Sequence, residues 1–174
     1  EKALRAYGLK NLEIVKDENT FMLSDGSIVK LFINMDDHDS SALILHQDGN
    51  ILKAAKAYQA CINQGLKDQR VYSNYGLILK GLGNLEEAES SYRKAIEINP
   101  NFAEAYYNLG NILKDLGKSN ESELAYKKAI QIKPNFAEAH SNLGLLFQDL
   151  KRTKEAESYY RKAIEINPCF PNDY

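Results

Sequence analysis

The chain has 174 residues, 44% hydrophobic and 26% charged, with a formal net charge of −2. That leaves room for one ordinary domain or one array of small repeats, and it is not the composition of a disordered chain. Residues 69–170 carry 14 Lys and Arg against 13 Asp and Glu, so the basic excess that duplex nucleic acid demands is missing.

The opening "EKALRAYGLK" is not a secretory leader, and the absent Met suggests a piece of a longer chain. No apolar run approaches the ~18 residues that span a bilayer, so no membrane role is expected. Cys61 and Cys169 form no CxxC pair, which disfavours a disulfide framework or a zinc site and points to a reducing, cytoplasmic compartment.

Within residues 1–34, "TFMLSDGSIVKLFI" puts Asp-Gly between two runs rich in apolar and β-branched residues. This predicts a β-hairpin, to which "LEIV" at 12–15 would add a third strand. The segment reads as a small cap or as the remnant of another domain. "DDHD" at 36–39 has the residue types of a metal site. Consecutive side chains rarely converge on one ion, however, and Asp37 or Asp39 suits a helix N-cap, so no metal is expected.

From there the chain repeats. "YRKAIEINP" stands at 92–100 and again at 160–168, with "YKKAIQIKP" midway at 126–134, a period of 34 residues. The same spacing aligns Gly76, Gly110 and Gly144; Tyr58, Tyr92, Tyr126 and Tyr160; Ala54, Ala88, Ser122 and Ala156; Cys61, Ala95, Ala129 and Ala163; and Pro100, Pro134 and Pro168. Gly49, Gly83 and Gly117 form a further column, with Lys151 as the exception.

Tyr106, Leu109, Gly110 and Leu113 fall on one face of a helix, and Gly117 follows as its stop. Ser122, Tyr126, Ala129 and Ile130 mark a second helix, closed by Pro134. Glycine and alanine let the two helices approach closely, and tyrosine fills the space beside them. Such a hairpin cannot bury its apolar face alone, so stacked copies must share a core as an α-solenoid. His38 and His140 fall in the column of Tyr72 and Tyr106, as packing residues, and Cys61 sits in a small-residue packing column. Glu89, Glu123 and Glu157 stand four residues before Arg93, Lys127 and Arg161, which predicts an ion-paired, solvated face. No phosphate loop and no nucleophile–base pair is visible, and neither enzyme chemistry nor a cofactor is expected of this chain.

The columns Tyr106, Leu109, Gly110, Leu113, Ser122, Tyr126, Ala129 and Pro134 resemble the tetratricopeptide (TPR) repeat. The resemblance implies an all-α solenoid of helix hairpins wound as a right-handed superhelix. Its units would be 69–102, 103–136 and 137–170, after a degenerate unit at 35–68, with 171–174 as a tail. TPR arrays usually end in an extra covering helix, and none follows the last hairpin here. Either the natural chain continues, or that end packs against another copy; self-association there, or through the N-terminal hairpin, is one expected partner mode.

The resemblance also places Asn74, Asn108 and Asn142 on the concave face, like the asparagine row that grips peptide main chain in the arms of O-GlcNAc transferase-type proteins. A carboxamide both donates and accepts, so it suits a peptide unit of any sequence. Arg70, Ser73, Leu77 and Lys80; Glu104, Tyr107, Asn111 and Lys114; and Glu138, Ser141, Leu145 and Gln148 would line the same groove. Tyr107 and Leu77 are its expected pocket walls. Glu138 and Asn142 stand where chaperone-tail clamps are basic, which disfavours that ligand. The expected function is a protein–protein interaction module holding an extended peptide. The alternatives are the substrate-binding arm of a larger transferase and a self-assembling scaffold.

Overall fold

A computed structural model describes residues 20–22, 28–30, 51–63, 65 and 67–168. Strands β1 (Thr20–Met22) and β2 (Ile28–Lys30) pair antiparallel, with Phe21 opposite Val29, as the Asp-Gly signal predicts. Seven helices follow: α1 (Ile51–Asn63), α2 (Gln69–Gly81), α3 (Leu85–Ile98), α4 (Ala103–Asp115), α5 (Ser119–Ile132), α6 (Ala137–Asp149) and α7 (Thr153–Ile166). The expected strand at 12–15, "DDHD" with its capping aspartates, the first half of the unit at 35–68, Cys169 and the tail lie outside the described residues, as does the side chain of Cys61.

Helices α2 and α3, α4 and α5, and α6 and α7 pack most closely, as three hairpins. The second helix of each touches the first helix of the next, and the first helices α2, α4 and α6 also touch in succession. Each hairpin turns on the same device. After α4, Gly117 N–H donates to Lys114 O at 2.9 Å and Lys118 N–H to Leu113 O at 2.8 Å. This Schellman arrangement satisfies the last carbonyls of the helix. Gly83 and Gly117 supply the left-handed residue, with φ of +80° and +73°. Lys151 takes the same conformation at φ +60° despite its side chain, and its turn makes the same two hydrogen bonds.

Inside a hairpin the glycine column meets the tyrosine column. A Cβ on Gly110 would lie 2.6 Å from the Tyr126 ring, and one on Gly76 would lie 3.0 Å from Tyr92. The ring thus lies against bare backbone, and both tyrosines are fully buried. Ser122, in a column otherwise occupied by alanine, hides its hydroxyl by donating to Gly110 O at 2.8 Å. The core runs on between hairpins: Leu79, Ala88 and Tyr92 of the first hairpin share one cluster with Leu109, Ile112 and Leu113 of the second. Tyr126 joins Leu143, Leu146 and Phe147 of the third. His140 is buried as expected, with Nε2 donating to Pro134 O at 3.0 Å, and its Nδ1 has no partner among the described residues.

The ion pairs of the second helices form, and they extend further than the four-residue spacing suggests. Glu89 accepts from Arg93 at 2.8 Å and from Lys118 of the following hairpin at 2.8 Å. Glu123 likewise accepts from Lys127 and from Arg152 of the following hairpin, both at 2.6 Å. Two carboxylates, 13% and 16% exposed, thus tie consecutive hairpins together. Glu157 holds Arg161 alone among the described residues.

Candidate functional site

Helical periodicity sets one stripe on each first helix. On α4 it runs through Glu104, Tyr107, Asn111 and Lys114, spaced three and four residues apart. Arg70, Ser73, Leu77 and Lys80 repeat it on α2, and Glu138, Ser141, Leu145 and Gln148 on α6. Because α2, α4 and α6 touch in sequence, the three stripes lie side by side. All of these residues are half-buried or exposed except Ser73, which is buried. Ser73, expected to line the groove, is thus corrected to a buried position.

The middle stripe departs from its neighbours at two columns. Tyr107 replaces the serine of Ser73 and Ser141, and Asn111 replaces the leucine of Leu77 and Leu145. The structure joins these two departures. Asn142 Nδ2 donates to Asn111 Oδ1 at 2.8 Å and to the Tyr107 hydroxyl at 3.1 Å. The Tyr126 hydroxyl donates to the same Asn111 oxygen at 2.7 Å. Tyr107 is held from the other side by Phe136, with ring centroids 4.9 Å apart. Burial raises the Tyr107 pKa above its ordinary value and the nearby Glu138 charge adds to the effect, while hydrogen bonds from Asn111 and Asn142 oppose it.

The three asparagines of the row are therefore not equivalent. Asn142 spends its amide on Asn111 and Tyr107, whereas Asn74 and Asn108 are half-buried and make no side-chain hydrogen bond among the described residues. The charged positions divide in the same way. Arg70 is folded back on Asp68, with Nη2 to Oδ2 at 2.7 Å, and that carboxylate also caps α2 by accepting from Arg70 N–H at 2.8 Å. The paired guanidinium lowers the Asp68 pKa despite partial burial. Lys80 faces Asp115 at 3.4 Å, and Glu104 faces Lys133 at 2.9 Å. Lys114 and Glu138 form no ion pair among the described residues. Leu77 stays half-buried, and Leu145 is exposed.

Sequence reasoning missed the Tyr126 hydroxyl, because its column reads as core filler. The signal was Asn111, a polar residue in a leucine column that lies beside that tyrosine. It also missed Lys118 and Arg152, which stand 34 residues apart in a column whose earlier member, Asn84, carries no charge. Among the described residues no group of three His, Cys, Asp or Glu is placed to hold a metal ion, and no helix is long and apolar enough to cross a membrane. The face offers unionised hydrogen-bonding groups, apolar flanks, and two charges of opposite sign, Lys114 and Glu138, that form no ion pair among the described residues.

Among curated proteins no sequence matches the chain. Solved structures do. Two crystal structures of MamA superpose with TM-scores of 0.66 and 0.65 at 27% identity, covering 69% of this chain and 70% and 66% of theirs. The structure of YrrB, described as a TPR protein with an unusual peptide-binding site, gives a TM-score of 0.64 at 22% identity, covering 69% of this chain and 62% of its own. A TPR-repeat family model matches residues 76–117 and 110–151, and a tetratricopeptide-repeat model matches 137–168. These matches span more than half of the sequence, and the seven helices pack in adjacent pairs as that repeat requires. The chain belongs to the tetratricopeptide repeat family.

Proposed function

We propose that this TPR module binds an extended segment of a protein partner on the concave face formed by α2, α4 and α6. The observation that carries the reading is the pair of half-buried, unspent carboxamides, Asn74 and Asn108, one on each of two touching helices. Each offers a donor and an acceptor to a peptide unit without regard to its side chain. The fold is one on which a peptide site is described, in YrrB. A net gain of roughly 0.5–1.5 kcal/mol per hydrogen bond supports only micromolar or weaker binding from these contacts alone. Side-chain recognition must supply the rest.

The second helices support a protein ligand over a nucleic acid. Of the basic pairs at 93–94, 127–128 and 161–162, Arg93, Lys94, Lys127, Arg161 and Lys162 each sit within ion-pairing distance of a glutamate, and Lys128 donates to Gln131 instead, so most of this basic character is neutralised in place. On sequence grounds we place the protein in the cytoplasm.

The test is binding of a mixed-sequence peptide library to the wild type and to an Asn74→Ala/Asn108→Ala variant matched for helical circular dichroism. Loss of binding across sequences is expected. Undiminished binding by the variant overturns the grip. The same groove would serve as the substrate-binding arm of a larger transferase, a reading that the asparagine row supports equally. A self-assembling scaffold would instead show a mass that rises with concentration.

A further inference from the structure

We propose that the Tyr107–Asn111–Asn142 cluster at the middle of the groove selects a primary carboxamide, an Asn or Gln side chain of the bound segment. This inference rests on the groove reading above and names the residue type that the groove selects.

The argument starts from which atoms are already used. Asn111 Oδ1 accepts from both Tyr126 and Asn142, and Asn142 Nδ2 donates to both Asn111 and Tyr107. One N–H of Asn111 Nδ2 faces the Tyr107 hydroxyl, which leaves its second N–H to give, and Asn142 Oδ1 accepts no hydrogen bond among the described residues. These two groups sit on two carboxamides joined by a 2.8 Å hydrogen bond. The cluster therefore offers one donor group and one acceptor from the same joined pair. The fixed contacts also decide which end of each asparagine is which, because only an oxygen can accept from the Tyr126 hydroxyl while Asn142 donates to it.

A primary carboxamide carries its C=O and an N–H on the same side, so it can accept from Asn111 Nδ2 while donating to Asn142 Oδ1. A trans peptide unit points its C=O and N–H in opposite directions and satisfies one of the two at a time. A carboxylate gains from Asn111 Nδ2 but meets the Asn142 oxygen lone pairs, and a lysine or arginine has the converse problem. Lys114 on the same α4 stripe and Glu138 on the α6 stripe are of opposite charge and leave the site with no net preference for an ion. Leu77 and Leu145 flank the cluster on α2 and α6 and suit the methylenes of a side chain reaching in. Duplication does not explain the arrangement, since Tyr107 and Asn111 are the two positions where the middle unit differs from both neighbours in this stripe's inner columns.

The experiment titrates the isotope-labelled protein with short Ser/Ala peptides whose central residue is Gln, Glu, Lys or Ala, following the asparagine side-chain amide signals by NMR. The Gln peptide is expected to shift the Asn111 and Asn142 signals and to bind about fivefold or more tightly than the other three. Asn111→Leu should erase that preference while leaving the shifts at Asn74 and Asn108. The variant copies Leu77, beside which Tyr92 packs on Gly76 just as Tyr126 packs on Gly110. Equal binding of all four peptides, with shifts at Asn74 and Asn108, overturns the carboxamide reading and leaves the groove intact. Tighter binding of the Glu or Lys peptide also overturns it. No shift at any groove asparagine with any peptide overturns both.

Discussion

Lys151 holds a left-handed backbone where Gly83 and Gly117 hold it in the other two hairpins. For an L-residue that conformation costs roughly 1–2 kcal/mol, and glycine returns part of the gain through its freer unfolded chain. Lys151→Gly is therefore expected to stabilise the protein by about 0.5–1 kcal/mol, read as a higher urea midpoint at unchanged slope. Gly110→Ala should do the reverse and cost about 2 kcal/mol or more. The added methyl would sit 2.6 Å from a Tyr126 ring that is fully buried and pinned by its hydroxyl to Asn111. Gly144→Ala should cost less although its gap is only 2.9 Å, because Tyr160 is half-exposed and its hydroxyl donates to Gln148, an exposed side chain that can move with it. Comparing the two urea midpoints checks this order. The glycine and tyrosine columns were legible in the sequence because duplication repeats them at a fixed spacing. The unequal fates of Asn74, Asn108 and Asn142 were not. They depend on Asn111, which breaks the period, and a repeat is read by what recurs.

At the scale of the helices, the four-residue spacing of Glu89 and Arg93 reveals a contact within one helix, and that pair is present. Its second cation, Lys118, comes from across the seam, and a distance that spans a turn, a helix and another turn has no simple sequence signature. Hydrogen bonds from Lys118 and Arg93 hold the Glu89 pKa below its ordinary value. At Glu123 burial pushes the other way, but Lys127 and Arg152 outweigh it. A carboxylate with a depressed folded-state pKa stabilises the fold above its unfolded pKa, and that contribution is lost as pH falls through the folded value. Stability is thus expected to decline below about pH 4.5, the ordinary glutamate range. Glu89→Gln and Glu123→Gln should each flatten that decline. Urea unfolding at a series of pH values measures both.

For the whole molecule, a stack in which each hairpin contacts only its neighbours has a stability that varies along its length. Helices α4 and α5 are covered on both sides by other hairpins, whereas α7 packs against α6. Amide hydrogen exchange should be slower in α4 and α5 than in α7; uniform protection across the helices would contradict a nearest-neighbour stack. The ion-pair joint also bears on how such a chain lengthens. The unit 103–136 carries a seam cation, Lys118, and a seam anion, Glu123, and it presents the first to the hairpin before it and the second to the hairpin after it. A tandem copy of this unit would meet itself with matching charges, so a gene that slipped in replication here would encode a longer groove rather than a broken protein.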